Sequence, residues 1–435
     1  MATDTKPVLL EEIGRTGLNQ SSGYIYEEYQ PEWKGYFKSR TIKRMLHNST
    51  CGAILFAIDM LLRQVTFTAK PASDDNKDRE AADFIEGCRN DMSTSWPDLI
   101  SEIQSFLPWG WDYHEIVYKE RRGDNPGVYK DGRGIERSLP ISKFNDGKIG
   151  WRKWATRSQD SLDHWEFDDE GGVSALVQSP PPDYQTRTIP IDKALLFRTA
   201  VNKGNPEGES IFRRAWQSYY FLTHISRIEA IGIEREFTGF PVFWVPPNII
   251  NGTSDEDVRA NAAFKNIGKN IKSDEEACLL MPLVYDQNGN KLYDFELAAS
   301  KGQRLFDTDK PITRYKHEIL MSSMADFLLL GAQQVGSYAL SADKTEMFSV
   351  ALTAYLDSMC GVINRHGIPR LLRLNSMPGQ AVLEHGKVEQ IDLKTLLALV
   401  SELGKLNLVF NDEQVNYILK MIDDGFPLIE KETTE

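Results

Sequence analysis

Apolar residues in the first quarter of the chain recur at helical spacing. Between Trp33 and Arg63 they fall three or four positions apart, which predicts two helices broken near the segment HNSTCG. The stretches DREAADFIEGCRNDM and SWPDLISEIQSFL predict a second helical pair. Ser95 is expected to cap the later helix, with Pro97 in its first turn, and Pro108 is expected to end it.

The pattern changes between Tyr113 and Ala200. Short aromatic and β-branched stretches alternate there with Gly, Pro, Asn and Asp, which predicts strands joined by turns. The stretches are DYHEIVYKERR, IGWRKWATRS, DHWEFDDEGGVSALVQSP and RTIPIDKALLFRTA.

Two long helical patterns follow, with a different segment between them. Residues 209–237 contain no proline and have helical apolar spacing, so they predict a helix roughly 40 Å long. The next segment predicts a strand, a short helix and two strands joined at DQNGN, where Asn-Gly favours a hairpin. Helical spacing returns over residues 312–330, is interrupted by GAQQVGSYALSAD, and resumes over residues 344–366. The stretches DLKTLLALVSELGKLN and NDEQVNYILKMIDD predict a final helical unit, so the expected fold class is α+β.

Composition narrows the possible functions. With 435 residues, 41% of them hydrophobic, the chain can form two to four domain-sized units. The net charge of -13 argues against a broad basic surface that wraps nucleic acid, so contact with DNA should be local or transient. The acidic, polar start lacks a signal-peptide core, and the apolar run 51–62 is too short to span a bilayer. We therefore expect a soluble protein.

The cysteines and the aromatic residues suggest structural roles. The four cysteines are far apart and form no CxxC pair, which speaks against a disulfide framework or a zinc ribbon. Aromatic side chains could stack on bases, but in an acidic chain they are better explained as core and interface anchors. The tryptophans concerned are Trp109, Trp111, Trp151, Trp154 and Trp165.

The stretch KGNPEGESIFRRAW resembles a phosphate-binding loop in composition only. Such a loop requires GxxxxGK[ST], whereas Lys203 here precedes the glycines. Glu207 and Glu209 would repel phosphates, but they suit the positive end of a helix dipole. We therefore interpret the stretch as a helix start whose turn is shaped by Gly204, Pro206 and Gly208.

Two other stretches could bind metal. YHEIVYKE lacks the second histidine of a zinc-protease helix, because Tyr118 stands in its place, and it predicts a strand. An acidic hairpin turn explains DHWEFDDEGG better than a cation site formed by His164, Glu166, Asp168, Asp169 and Glu170. A nucleic-acid enzyme that binds magnesium through Glu166, Asp168 and Asp169 remains an alternative. No catalytic signature requires the protein to be an enzyme.

Several pieces, read in order, resemble the portal proteins of tailed double-stranded DNA bacteriophages, in the branch that includes Mu-like phages. Portal proteins are the head-to-tail connectors of these particles. The resemblance covers residues 33–427, and the order of the pieces is its stronger argument. The pieces are FLPWGWDYHEIVY, LPISKFNDGKIGW, KALLFRTAVNKGNPEGESIFRRAW, EREFTGFPVFWVPP, GAQQVGSYALSADKTEMF and GKVEQIDLKTLLALVSELGKLNL.

The resemblance implies a portal-type α+β fold with a wing, a two-helix stem, an α/β clip, a tunnel loop and a helical crown. The implied segments are 1–208 for the wing with its helices and β-rich layer, 209–237 for the first stem helix, 238–303 for the clip, 304–330 for the second stem helix, 331–343 for the tunnel loop, 344–386 for the wing helix and following strand, and 387–435 for the crown. The implied joint between wing and stem comprises Gly204, Pro206, Gly208 and Glu209. The implied DNA-facing residues of the tunnel loop are Gln333, Gln334, Ser337, Tyr338, Ser341 and Lys344.

The function implied by the resemblance is mechanical. About twelve copies would form a ring at one capsid vertex, with heterologous contacts between neighbours. The ring would be the channel for DNA packaging and ejection and would dock the terminase large subunit and the head-tail adaptor. Major capsid and scaffolding proteins would be further partners. The resemblance implies assembly in the host cytoplasm, a place in the virion, and no enzymatic activity, cofactor, metal or membrane. Another ring-forming capsid or adaptor protein is the main alternative.

Overall fold

The computed structural model describes residues 14–124, 127–130, 134–238, 242–245, 247–271, 279–282, 285, 307–325 and 338–388. Its helices are α1 (Gly35–Leu46), α2 (Ser49–Arg63), α3 (Asn76–Asn90), α4 (Trp96–Ile103), α5 (Phe106–Trp109), α6 (Trp216–Thr238), α7 (Pro247–Asn251), α8 (Asp255–Ile271), α9 (Asp309–Ser322), α10 (Tyr338–Val362) and α11 (Ile368–Leu374). A π-helical stretch, Ile363–Gly367, joins α10 to α11.

The strands are β1 (Gln20–Ser21), β2 (Tyr24–Ile25), β3 (Phe67–Pro71), β4 (Trp111–Arg122), β5 (Val128–Lys130), β6 (Glu136–Ser138), β7 (Asn145–Arg157), β8 (Leu162–Phe167), β9 (Val173–Gln178), β10 (Arg187–Pro190), β11 (Ala194–Arg198), β12 (Val242–Val245), β13 (Leu279–Pro282) and β14 (Ala381–His385). Helices and strands thus mix along the chain, and the predicted α+β class is confirmed.

The chain forms two compact units, and neither is continuous in sequence. The first comprises residues 1–27, 56–208 and 342–435, and the second comprises residues 28–55 and 209–341. The chain therefore passes between the units four times. One of these crossings falls between Gly208 and Glu209, inside the stretch that first resembled a phosphate loop.

Two antiparallel sheets form the core of the first unit. One has the strand order β11-β4-β7 and the other β10-β9-β8. The aromatic rings of Trp111 and Trp165 meet edge to face with their centroids 5.0 Å apart, and the hydroxyl of Tyr113 donates to the carbonyl of Ile189 at 2.8 Å. Trp151 and Trp154 are also buried. These four tryptophans are core anchors, as the composition predicts.

The helix that runs through α10, the π-helical stretch and α11 contacts β11 through its π-helical stretch and β7 through α11. Its buried residues recur at helical spacing and include Phe348, Leu352, Leu356, Met359 and Ile363. By length and composition alone, its segment Met347–Leu374 could span a membrane, as could α1 and α2 taken as a pair bent by 82°. The buried stripe is instead what the core helix of a folded unit shows.

Two asparagine side chains bind this helix to strands. The amide of Asn364 donates to the carbonyl of Leu383 at 2.9 Å and accepts from its N–H at 2.7 Å. Asn375 makes the same pair of hydrogen bonds with Ile149, at 2.9 and 2.8 Å. Each asparagine thus replaces a strand neighbour, which fixes the helix against the sheets.

Several predicted boundaries are confirmed and one is wrong. The helix break falls between Leu46 and Ser49, and the hydroxyl of Ser95 accepts from the N–H of Asp98 at 3.3 Å as an N-cap. Pro108, however, lies inside α5, and the helical run ends at Gly110 with φ of 92°. Proline is tolerated there because the first N–H groups of a helix have no partner within it.

Candidate functional site

The joint at residues 203–216 begins where two distant motifs become strand partners. β11 pairs antiparallel with β4, with Arg198 opposite Trp111. The carbonyl of Gly110, just before β4, accepts from the N–H of Thr199 at 3.0 Å and from its hydroxyl at 3.2 Å. The motifs FLPWGW and KALLFRTAVNKGNPEGES therefore lie side by side, although about ninety residues separate them.

Gly208 packs directly on this carbonyl. Its φ is +54°, and a Cβ atom at this position would lie 2.1 Å from the carbonyl oxygen of Gly110. Real Cβ atoms do not approach oxygen that closely, so only glycine fits without displacing backbone. Gly204 also has a positive φ, of +74°, but a Cβ there would meet only Thr16, at 4.0 Å. The two glycines thus serve different purposes.

Asn205 holds the turn between these glycines. Its carbonyl accepts from the guanidinium of Arg198 at 3.2 Å, and its side-chain oxygen accepts from the N–H of Glu207 at 2.9 Å. Pro206 is buried beside it. Three of the four predicted joint residues, Gly204, Pro206 and Gly208, therefore form a turn secured by hydrogen bonds and close packing.

Lys203 contacts the N-terminal part of the first unit. Its ammonium group donates to both carboxylate oxygens of Glu27, at 3.2 and 3.0 Å. The N–H of Asn19 and then Lys203 lower the pKa of Glu27. The lysine of the former phosphate-loop candidate thus has a carboxylate partner.

The predicted helix start at Glu209 is wrong. Residues 209–210 are irregular, residues 211–215 form a turn, and α6 begins at Trp216. The hydroxyl of Ser210 accepts from the N–H of Phe212 at 3.1 Å, and its carbonyl accepts from the N–H of Arg213 at 3.0 Å. Glu209 forms an ion pair with Arg214 at 3.6 Å and does not lie in the first turn of the long helix. With 23 residues, α6 is roughly 34 Å long.

Arg213 shows why the helix starts late. Its guanidinium makes two hydrogen bonds to the carboxylate of Glu28, at 2.6 and 2.8 Å, and lies 5.3 Å from the ring centre of Tyr29 and 5.8 Å from that of Trp33. Burial works to raise the pKa of Glu28, but the hydrogen bonds from Arg213 and Gln30 outweigh it and lower the pKa. This bidentate pair holds residues 209–215 in a non-helical path within the second unit.

In the second unit, α6 and α9 pack as an antiparallel pair. The ring of Phe221 stacks on that of Tyr315 with centroids 5.7 Å apart. The hydroxyl of Ser218 donates to Glu318 at 2.6 Å, and that of Thr308 donates to Glu229. Residues of increasing number along α6 contact residues of decreasing number along α9, so the two helices run antiparallel. The pair leaves much of α6 exposed, including Ile228 at 67%.

The described part of the intervening segment is mixed α/β, as predicted. β12 and β13 pair in parallel, and α7 and α8 lie between them in sequence. A parallel pair needs such a crossover. The predicted hairpin at DQNGN lies outside the described residues.

The second long helix is shorter than predicted. α9 begins at Asp309 and ends at Ser322, whereas the sequence predicts a helix as far as residue 330. Met324 adopts a left-handed φ of +58°, and the N–H of Ala325 bonds back to the carbonyl of Leu320 at 2.9 Å. This is the geometry that closes a helix C-terminus, here without a glycine.

The predicted tunnel-loop residues divide into two groups. Tyr338, Ser341 and Lys344 lie on α10, which begins at Tyr338, so the prediction of a loop through residue 343 is wrong. An alanine and leucine follow Tyr338, and their helix propensity extends α10 to six residues before the predicted start. Gln333, Gln334 and Ser337 lie outside the described residues, as do residues 389–435 of the predicted crown.

The acidic stretch is a hairpin turn between β8 and β9. Asp168 accepts from the N–H groups of Glu170 and Gly172 at 3.1 and 2.6 Å, so one carboxylate oxygen holds the turn. Glu166, Asp168 and Asp169 are exposed. Among the residues that the structure describes, no group of three or more His, Cys, Asp or Glu side chains is arranged to hold a metal ion.

Sequence reasoning missed the two adjacent glutamates of the joint. Glu27 and Glu28 lie next to each other but belong to different units, and each forms an ion pair with one basic residue of the joint. The only local signal is a pair of glutamates among the aromatic residues of GYIYEEYQPEW, and that signal does not identify a partner about 180 residues away.

The described residues thus combine a strand-rich first unit with a second unit that contains an antiparallel helix pair and mixed α/β elements. The family model of the portal protein of Mu bacteriophage matches residues 40–420. Because this is most of the chain, the protein belongs to that family of phage portal proteins.

Solved structures similar to the chain include two from GTA particles. One is a chain from the neck of an empty GTA particle computed with C6 symmetry, with 11% sequence identity, a TM-score of 0.46 and coverage of 90% of this chain and 94% of that chain. The other is from the virion of a native gene transfer agent (GTA) particle, with 11% identity, a TM-score of 0.47 and coverage of 92% and 96%. No curated protein sequence matches the chain.

Proposed function

We propose that the protein is the subunit of a portal ring, with about twelve copies around one capsid vertex, and that double-stranded DNA passes through the ring during packaging and ejection. Family membership over residues 40–420 supports this proposal. The observation that carries it is the antiparallel pair of α6 and α9 around mixed α/β pieces, which is the order expected of a two-helix stem with a clip.

The segments follow this order in the proposal. Residues 1–208 and 344–386 would form the wing, α6 and α9 the stem, and residues 238–303 the clip. Residues 387–435 would form the crown. Gly204, Pro206 and Gly208 would form the wing-to-stem joint, with Glu209 just beyond it. Gln333, Gln334 and Ser337 would face the DNA, and Tyr338, Ser341 and Lys344 would follow them on the first two turns of α10.

The charge of the chain suits a channel through which a duplex slides. With a net charge of -13, the channel wall would on balance repel phosphates, so DNA would not be held by counterion release. Movement would then be driven by a separate terminase. The proposed partners are the terminase large subunit, a head-tail adaptor, and the major capsid and scaffolding proteins, and the proposed location is the capsid vertex of the virion.

Negative-stain images and native mass of the purified full-length chain test the ring. We expect a closed ring of about a dozen subunits with a central hole. A chain that stays monomeric both alone and when co-expressed with its capsid proteins contradicts the proposal.

Deletion of residues 333–337 tests the tunnel assignment separately. We expect rings of unchanged subunit number whose particles package or retain less DNA, since the deletion removes polar side chains proposed to face the duplex. A variant with Lys153→Ala, at an exposed position on β7, is the control and should package normally. Normal packaging and retention by the deletion variant contradicts the tunnel assignment.

A further inference from the structure

The helix α1 carries an unusual concentration of positive charge for this chain. Between Glu32 and Asp59 there are five lysine or arginine residues and no acidic residue, in a protein with 63 acidic and 50 basic residues. The five are Lys34, Lys38, Arg40, Lys43 and Arg44. A like-charged block of this size requires a structural or functional reason.

Three of these charges share one face of α1 with two exposed aromatic rings. Ile42 and Met45 are fully buried on one side of the helix, while Tyr36 is 78% exposed and Phe37 is 58% exposed on the other. At 100° per residue, the exposed residues fall within a sector of about 120°. We call this sector the α1 face; it comprises Tyr36, Phe37, Arg40, Lys43, Arg44 and His47.

A purely structural explanation accounts for only part of the α1 face. Basic residues in the last turn of a helix interact favourably with its dipole, which explains Lys43 and Arg44. It does not explain Arg40, nor the two exposed rings. Arg40 also lies four residues before Arg44, a spacing at which like charges repel. Among the described residues, neither arginine has an ion-pair partner.

A block of opposite charge lies elsewhere in the chain. Between Arg157 and Arg187 there are seven acidic residues and no lysine or arginine. Three of them, Glu166, Asp169 and Glu170, are exposed on the β8–β9 hairpin and have no ion pair with a described basic residue. We call these three residues the hairpin face. Its shape is fixed by Asp168, which holds the turn.

We propose that the α1 face of one subunit docks on the hairpin face of a second copy of this chain. The proposal rests on the ring proposed above, because a ring needs two different, complementary faces on every subunit. Because the two faces carry opposite charges, they attract each other, whereas contact between two α1 faces or between two hairpin faces is disfavoured. Arginine and tyrosine are also the residues that anchor protein interfaces. The chain's acidity favours a second copy over DNA as the occupant.

Charge reversal on each face tests the pairing in the full-length chain. One variant carries Arg40→Glu with Arg44→Glu, and the other carries Asp169→Lys with Glu170→Lys. Each alone brings two like-charged faces together, and we expect its assembled fraction in native mass or sedimentation to fall about tenfold or more. The combined four-fold variant restores opposite charges and should assemble like the parent.

Mixing the two reversed variants is the sharper measurement. Each variant's altered face is complementary to the other's altered face, and their unaltered faces are complementary as well. We expect the equimolar mixture to assemble with one-to-one composition and alternating subunits. The matched control is Arg152→Glu with Lys153→Glu on β7, which makes the same charge change at exposed positions and should leave assembly unchanged.

The outcomes separate this inference from the proposed function. If the parent and both reversed variants form equal rings, the face pairing is wrong and the ring remains. If the parent forms no ring, the proposed ring is contradicted. The face pairing is then supported if the two reversed variants associate when mixed, and it is contradicted if they do not. If Arg40→Glu with Arg44→Glu assembles normally but loses binding to a short DNA duplex in fluorescence anisotropy, the α1 face binds nucleic acid and the inference is overturned.

Discussion

Replacing Gly208 by alanine isolates the close packing at the joint. A methyl group there would lie 2.1 Å from the carbonyl oxygen of Gly110, so the backbone must move by about 1 Å to reach an ordinary contact distance of roughly 3.2 Å. This movement separates the carbonyl from the two Thr199 donors that now bond to it. Gly204→Ala is the matched control, because it has a positive φ but open space.

The expected magnitudes follow from these two differences. A left-handed alanine costs about 1–2 kcal/mol at either position. The two weakened hydrogen bonds add about 1 kcal/mol each at Gly208. Gly204→Ala should therefore lower the free energy of unfolding by about 1–2 kcal/mol, and Gly208→Ala by about 3–4 kcal/mol.

Thermal unfolding followed by tryptophan fluorescence measures the difference, since Trp109 and Trp111 flank Gly110. A gap of about 2 kcal/mol corresponds to a midpoint about 4–8 °C lower for Gly208→Ala than for Gly204→Ala, at the 2–4 °C per kcal/mol typical of units of 150–250 residues. Equal midpoints for the two variants would refute the argument that packing on Gly110 constrains the joint.

Three further substitutions test individual contacts. Ser95→Ala removes the N-cap of α4 and should cost about 1 kcal/mol in urea unfolding; an unchanged midpoint contradicts the cap. Glu28→Gln should cost about 1 kcal/mol at pH 7. The pKa of Glu28 is lowered by Arg213, so the ion pair stabilises the folded protein fully at pH values above 4.5. This stabilisation is lost as the pH falls through the pKa of Glu28 in the folded state. If Glu28→Gln is still destabilising at pH 2, this reasoning is contradicted. Asp112→Asn should cost about 3–5 kcal/mol, because it leaves the fully buried His114 without its carboxylate. Burial works to lower the pKa of His114, but Asp112 outweighs it and raises the pKa. The ion pair therefore stabilises the folded protein fully below pH 6.5, and this stabilisation declines as the pH rises through the pKa of His114 in the folded state. If Asp112→Asn is equally destabilising at pH 6 and at high pH, this reasoning is contradicted.

Local signals in the sequence account for the parts of the fold that were predicted well. The β-branched and aromatic stretches became strands, and Ser95 caps α4, because those patterns reflect the immediate backbone environment. The burial of Trp111, Trp151, Trp154 and Trp165 was expected from composition and charge. The acidic turn at Asp168 followed from the two glycines after it.

Tertiary contacts explain the errors. The apolar spacing of residues 211 and 215 fits a helix, yet Arg213 is held by Glu28, which lies 185 residues away in sequence. α9 ends at Ser322, and Met324 just beyond it adopts a left-handed conformation that its residue type does not favour. At Arg213, helix propensity gives way to a tertiary contact, and the partner Glu28 cannot be identified from the local sequence.

The candidate site could be predicted only in part. The glycines and the proline of KGNPEGES indicated a turn, and the missing lysine position excluded a phosphate loop. The reason why Gly208 must be glycine lies in the carbonyl of Gly110, which approaches only after β4 and β11 pair. This contact depends on two strands that are far apart in sequence, so it cannot be predicted from the residue pattern of one segment.

The four crossings between the two units have a consequence for synthesis of the protein. Residues 28–55, which include the basic helix α1, leave the ribosome long before residues 209–341 that complete their unit. At 5–20 residues per second, this interval lasts roughly 15–60 s. During that time the second unit, to which α1 belongs, is incomplete. The first unit is also incomplete until residues 342–435 have been synthesised. A nascent chain therefore cannot present complete partner faces, so self-association is deferred until the segments that complete both units have been synthesised.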